Sequence, residues 1–167
     1  MEIQAFCAKS ELNYSTQLIR EAASRRGIKF ELLARYQHHV AHELYRLSDA
    51  NKSHIMDITR PDMTSATAFS ITKNKYVTQL FLQQHDMPHT FAQCFRDPRL
   101  ALQAFRERQE RVTVKPVVGK HGLGVSMAVD SEPLLLNAVA SAMQHHAAFM
   151  VERFIDAPDY RLLFINH

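Results

Sequence analysis

The stretch VVGKHGLGVS, residues 117–126, limits what this chain can fold into more than any other. Three of the four glycines in the sequence fall inside it, at positions 119, 122 and 124. Runs rich in β-branched residues flank it, VTVKPVV (112–118) before and GVSMAVD (124–130) after. Such runs favour extended backbone, and a glycine-rich segment between two of them reads as a hairpin connection. The connection is longer than a tight turn requires. Glycine accepts positive φ and lets the backbone come close to a ligand, and successive N–H groups in such a bend can form a concave anion site. Lys115 just upstream and Lys120 inside the loop could neutralise phosphate oxygens. The same residues also describe a flexible hairpin with a solvated lysine, and the stretch alone leaves both open.

Two standard phosphate motifs fail here. A P-loop needs G-x-x-x-x-G-K-[ST] between a strand and a helix, whereas GKHGLGVS (119–126) has Val125 in the lysine position. The dinucleotide fingerprint needs a third glycine leading into a helix. Gly122 and Gly124 supply only its first half, and the next predicted element is a strand.

A length of 167 residues suits one domain or two small ones, and 46% apolar residues can supply a core. No apolar run reaches the length of a membrane helix, and the N-terminus lacks the order of a signal peptide. Cys7 and Cys94 lie far apart in apolar contexts and read as reduced core thiols of a cytoplasmic protein. The net charge of +3 comes from 20 basic and 17 acidic residues that are scattered. No dense basic patch interleaved with aromatics is present, so a small anionic ligand suits the balance at least as well as nucleic acid.

Residues 2–8 and 28–34 read as strands around a helix with Ser15 as N-cap and Gly27 closing it, a βαβ opening with a parallel pair. ELYRL (43–47) and HIMDI (54–58) flank the turn-like DANK and predict a hairpin. TRPDMTSAT (59–67) is loop-like and marks a boundary between 1–63 and 64–167. Thr72 is placed to cap a helix over 73–85. Asp97 with Pro98 starts another, and Ser131 with Pro133 a third. FMVERFI (149–155) and DYRLLFI (159–165) read as closing strands. Alternation puts Glu152 either on a solvent face or in a pocket.

Three features occur in order: N-K-x-x-T (74–78), V-K-P with the glycine loop (114–124), and V-E-R-F-I-x-x-x-D-Y-R (151–161). That order and spacing resemble the ATP-grasp superfamily, in particular ligases of the glutathione-synthetase and cyanophycin-synthetase kind. The stretch from Ser65 to Thr78 is similar to the start of their ATP-grasp domain, and residues 15–28 more loosely to the domain before it. The resemblance implies an α/β chain: a small βαβ-type pre-ATP-grasp domain, then an ATP-grasp fold incomplete at the C-terminus. It implies ATP as ligand, with Lys75 and Lys115 on the phosphates and Gly119, Lys120, Gly122, Gly124 and Ser126 in a lid over them. By the same match Glu152 meets the adenine amine, Arg153, Phe154 and Ile155 line the base pocket, and Asp159 accepts the ribose hydroxyls. Arg161 matches a frequent arginine. His121 is a further phosphate contact if protonated.

The family's magnesium ligands, an Asp and a Glu-x-Asn pair, lie beyond the ribose carboxylate, and this sequence ends at His167 before any such pattern. The expectations are therefore no metal site, little ligase activity from this polypeptide alone, and pairing through an apolar edge with a second copy or with a missing C-terminal half. The acyl and amine substrates are not legible. His38, His39, His42, His145 and His146 lack the spacing of a zinc site. Two other classes stay open: a nucleotide-binding remnant without ligation, and a basic nucleic-acid module, which steep salt dependence would mark.

Overall fold

The computed structural model describes residues 12–36, 42–160 and 162. The chain divides into two compact units, Met1–Ala66 and Thr67–His167.

The first unit holds helix α1 (Tyr14–Arg25) and strands β1 (Lys29–Tyr36), β2 (His42–Ser48), β3 (Ser53–Asp57) and β4 (Arg60–Pro61). The strands form one antiparallel sheet in sequential order. Ser15 is not the cap of α1. Asn13 is, its side chain accepting the Ser15 N–H. Gly27, at φ +68°, ends the helix. The parallel pair expected with residues 2–8 falls outside the described residues, and β1 pairs antiparallel with β2. The DANK hairpin forms as its residues predict. Asp49 accepts the N–H groups of Asn51 and Lys52 at 2.7 and 2.8 Å, an Asx turn. The segment read as a loop from 59 contains β4, too short for alternation to show.

Tyr45, fully buried, organises this sheet. Its ring stacks on Phe30 with centroids 4.8 Å apart, and its hydroxyl donates to the Ile58 carbonyl. Ile58 has φ +55°, unusual for a β-branched residue. Both of its backbone polar groups are held, since its N–H also donates to the Glu43 carbonyl at 3.0 Å. The Glu43 carboxylate is buried and accepts the Asn13 N–H at 2.8 Å, with Arg35 beside it at 3.3 Å.

The second unit begins within the first turn of α2 (Ala66–Lys73) and continues through α3 (Lys75–Gln84), β5 (Gln93–Phe95), α4 (Pro98–Arg108), β6 (Val112–Pro116), β7 (Ser126–Val129), α5 (Glu132–Met143) and β8 (Phe149–Arg153). Its sheet has the order β5-β8-β6-β7, antiparallel throughout. Val112, Val114, Phe149 and Val151 alternate onto one face and meet Leu135, Ala138, Val139 and Ala142 of α5 and Ala101 of α4 in the core. Those α5 positions recur at helical spacing. The other face of β6 and β8 carries Thr113, Lys115, Met150 and Glu152.

Thr72 does not cap a helix. It lies inside α2, where its hydroxyl donates to the Phe69 carbonyl at 3.0 Å. Asn74 is the sole residue between α2 and α3, and its side chain accepts the N–H groups of Tyr76 and Val77. Asp97 caps α4 with Pro98 in its first turn, as its sequence predicts. Ser131 occupies the N-cap of α5 without a side-chain bond. Strand β5 was not legible, being short and without alternation. Cys94 lies on it and is exposed, so it is not a core thiol. Cys7 lies outside the described residues, as does most of the expected strand 159–165, while Asp159 and Tyr160 are not in a strand. No helix among the described residues is long and apolar enough to cross a membrane.

Burial, and then the nearby Glu43 charge, push the Tyr45 phenol from 10.0 up to about 12. The fold holds that proton more tightly than the open chain does, so this contribution is complete below pH 10 and is lost as pH rises from 10 to about 12. Chemical denaturation over this range should show a fall in stability for the native chain that Tyr45→Phe does not share. An identical fall in both would disprove the assignment.

Candidate functional site

Antiparallel pairing sets the site. Thr113 lies opposite Glu152 and Lys115 opposite Met150, so Lys115 and Glu152 are diagonal neighbours on one face. The Lys115 ammonium meets Glu152 Oε1 at 2.5 Å, with side-chain exposures of 21% and 7%. Glu152 is therefore buried and not on a solvent face, which removes one of the two placements that alternation allowed. Its second oxygen, Oε2, accepts the Thr90 hydroxyl at 2.6 Å.

Lys75 arrives from the first turn of α3. Its N–H donates to the Val117 carbonyl at 3.0 Å. Its ammonium donates to the carbonyls of Pro116 and Gly119, both at 3.1 Å. These bonds tie the start of the helix to the end of β6 and the first residue of the glycine loop. Burial lowers the Lys75 pKa, the Lys115 charge lowers it further, and Glu152 partly opposes both. Two ammonium groups thus stand near one carboxylate, which is paired with Lys115 alone, and positive charge is in surplus beside the loop.

The loop is a double turn. Leu123 N–H donates to the Lys120 carbonyl at 3.2 Å and Val125 N–H to Gly122 at 3.1 Å. The N–H groups of Lys120, His121 and Gly122 make no backbone bond among the described residues. Lys120 and His121 are exposed, and Ser126 begins β7 half-buried. Gly124 has φ +69°, and a Cβ there would lie 2.6 Å from His145 Cδ2 and 3.2 Å from backbone atoms of Ser141 and Ala142. Close approach to the end of α5 demands glycine at 124. Gly122, at φ +73°, has nothing within 4 Å of such an atom.

Lys75, Lys115, Glu152 and Gly119 are brought together. Arg153 leaves on the other side of β8, where its guanidinium donates to Glu110 at 3.0 Å and lies over the Phe91 ring. The Phe154 N–H donates to the Arg111 carbonyl at 3.0 Å. Ile155 and Asp159 are exposed. Arg161, His38 and His39 lie outside the described residues, and nothing is described of the His42 side chain. Two members escaped the motifs: Thr90, in a loop without a signature, and Gln79, whose only signal is its place one turn after Lys75 on α3. A separate groove, lined by Arg106, Glu110, Arg111, Asp130 and Glu132 among others, opens at the far end of the β6–β7 hairpin. Its arginines are already paired, Arg106 with Glu132 and Arg111 with Asp156.

No family model matches the chain. Among curated proteins it is similar to the glutathione biosynthesis bifunctional protein of Listeria monocytogenes serotype 4b, 28% identical over 159 residues, covering 93% of this chain and 20% of that protein. The protein of the same name from Listeria monocytogenes serovar 1/2a is 30% identical over 162 residues, with the same coverage. The chain spans about one fifth of the length of these relatives. Among solved structures, D-alanyl-alanine synthetase A from Vibrio cholerae matches 85% of this chain and 54% of its own, with a TM-score of 0.60 and 16% identity. The chain is thus similar in sequence to glutathione-synthetase-like ligases, and its fold is that of the ATP-grasp ligases over the part it covers.

Removing one member of a buried ion pair strands the other. Lys115→Met should lower unfolding free energy by about 3 kcal/mol in urea titrations, and the double variant Lys115→Met/Glu152→Gln should recover most of that. Strict additivity of the two substitutions would refute the coupling. Gly124→Ala should destabilise by about 1 kcal/mol more than Gly122→Ala, because both suffer the left-handed backbone and only the first meets neighbouring backbone. Equal losses would show that the loop does not lean on α5.

Proposed function

We propose that this chain forms the nucleotide-gripping part of an ATP-dependent carboxylate–amine ligase of the glutathione-synthetase-like kind. The observation that carries the proposal is the placing of two lysines beside the glycine loop, Lys115 paired with Glu152 and Lys75 bonded to the carbonyls of Pro116 and Gly119. Ammonium groups near one another repel, and this adds to the burial that is the main reason the Lys75 pKa is lowered. A polyanion removes the conflict. Lys75 exchanges its contacts with the Pro116 and Gly119 carbonyls for phosphate oxygens, and Lys115 swings a short way from Glu152 to do the same. The unbonded N–H groups of Lys120, His121 and Gly122 supply further donors from the lid.

The base and sugar roles are those the family resemblance implies, and the residue types suit them. Glu152 is an acceptor when ionised and suits the exocyclic amine of adenine. Ile155 offers an apolar surface and a backbone N–H, while that of Phe154 is already engaged with Arg111. The exposed Asp159 carboxylate suits a ribose diol. In the reaction so assigned, a substrate carboxylate oxygen attacks the γ-phosphorus, ADP leaves, and an amine displaces phosphate from the resulting acyl-phosphate. The residues described here hold and orient the triphosphate for that transfer. Among the described residues, no three His, Cys, Asp or Glu side chains converge to hold a metal.

Calorimetric titration with ATP tests the proposal. The native chain should bind ATP, inorganic tripolyphosphate should compete, and Lys75→Ala or Lys115→Ala should each weaken binding by about tenfold, the scale of one charge-assisted contact. Binding that neither substitution changes would overturn it. So would a preference for DNA or RNA with a steep salt dependence.

A further inference from the structure

Thr90 lies between α3 and β5, outside helix and strand, and touches both sides of the site. Its carbonyl accepts the Arg153 N–H at 3.0 Å, and its hydroxyl reaches Glu152 Oε2 at 2.6 Å. Toward α3, its N–H donates to Gln79 Oε1 at 3.0 Å, and its hydroxyl oxygen lies 3.0 Å from the same atom. A threonine hydroxyl has one proton and two acceptors here. Gln79 Oε1 already takes the backbone N–H, and the carboxylate is both nearer and charged, so the proton goes to Glu152. Gln79 and Lys75 are one helical turn apart, so a single face of α3 braces Thr90 and holds the loop carbonyls.

We propose that Thr90, braced by Gln79, is a positioning residue that fixes the Glu152 carboxylate for recognition of the nucleotide base. The inference takes its ligand from the nucleotide proposal above and its geometry from the free chain. Glu152 is only 5% exposed, and its two oxygens are held from opposite sides, by Lys115 and by Thr90. Each carboxylate oxygen has a second acceptor direction. With the group prevented from rotating, that acceptor keeps a constant aim. It favours a ring bearing an exocyclic amine and disfavours one bearing a carbonyl there. When Lys115 moves to phosphate, Thr90 is the contact that keeps Glu152 in place. Without the hydroxyl, the carboxylate follows the lysine, and base recognition weakens while phosphate binding does not.

The test uses Thr90→Val and Thr90→Ser in the 167-residue chain, with ATP, inosine triphosphate and inorganic tripolyphosphate as probes. Thr90→Val should weaken ATP about tenfold, the scale of one hydrogen bond to a charged group, and leave the other two probes unchanged. Thr90→Ser, which keeps the hydroxyl, should bind as the native chain does. Wild-type ATP affinity in Thr90→Val overturns the inference, and so does an equal loss for ATP and tripolyphosphate, which marks a merely structural role. A nucleotide-free readout separates this from the proposal it rests on: in nitrogen-15 spectra, the Lys115 ammonium protons should exchange with water faster in Thr90→Val than in Thr90→Ser. If the native chain binds none of the probes, the nucleotide proposal falls. Faster exchange then still supports the clamp, and unchanged exchange overturns it. Should Thr90→Val not fold, Gln79→Leu removes the brace and carries the same expectations.

Discussion

The ion pair between Lys115 and Glu152 is the constraint on which the rest of the site depends. Burying a carboxylate to 7% exposure is costly without hydrogen-bonding partners, and here these are an ammonium and a hydroxyl. The pair exists because β6 and β8 run antiparallel in one register, which makes the two residues diagonal neighbours. A slip of β8 by one residue against β6 would turn Glu152 toward the core and bring Phe149 and Val151 out. The hydrophobic alternation of the sheet and the placing of the charges therefore enforce the same register.

Around that pair, the glycine loop is attached at both ends. Lys75 holds its beginning through two carbonyls, and Gly124 sets its end against α5. Between these anchors, the N–H groups of residues 120–122 have no backbone partner among the described residues. A loop fixed at its ends and open at its centre suits an anion that arrives and leaves. Rigid strands supply the geometry and the short turn supplies the donors.

The first unit rests on a comparable compromise in which no ligand is implied. Ile58 takes a backbone conformation that a β-branched residue avoids, and the Tyr45 hydroxyl and Glu43 carbonyl keep it there. The tyrosine can do so because its ring is stacked on Phe30 in the same sheet. Strain at the β3–β4 turn is thus held by contacts from β2.

The sequence alone determined the local elements with strong chemistry. Asp97-Pro98 started α4, DANK closed a hairpin, and the β-branched runs around residues 119–124 became β6 and β7, because caps, turns and alternation act over a few residues. The order of the three motifs also pointed to the family that the relatives share. Short or unpatterned pieces were not legible: β4, β5, and the boundary where Asn74, and not Thr72, caps α3. Only the tertiary structure buried Glu152, sent Arg153 to the other side of the strand, exposed Cys94, and brought Gln79 and Thr90 to the site. Those outcomes depend on which strand lies beside which and in what register. Residues such as Thr90 and Glu152 are 62 positions apart, and no local pattern carries information over that separation.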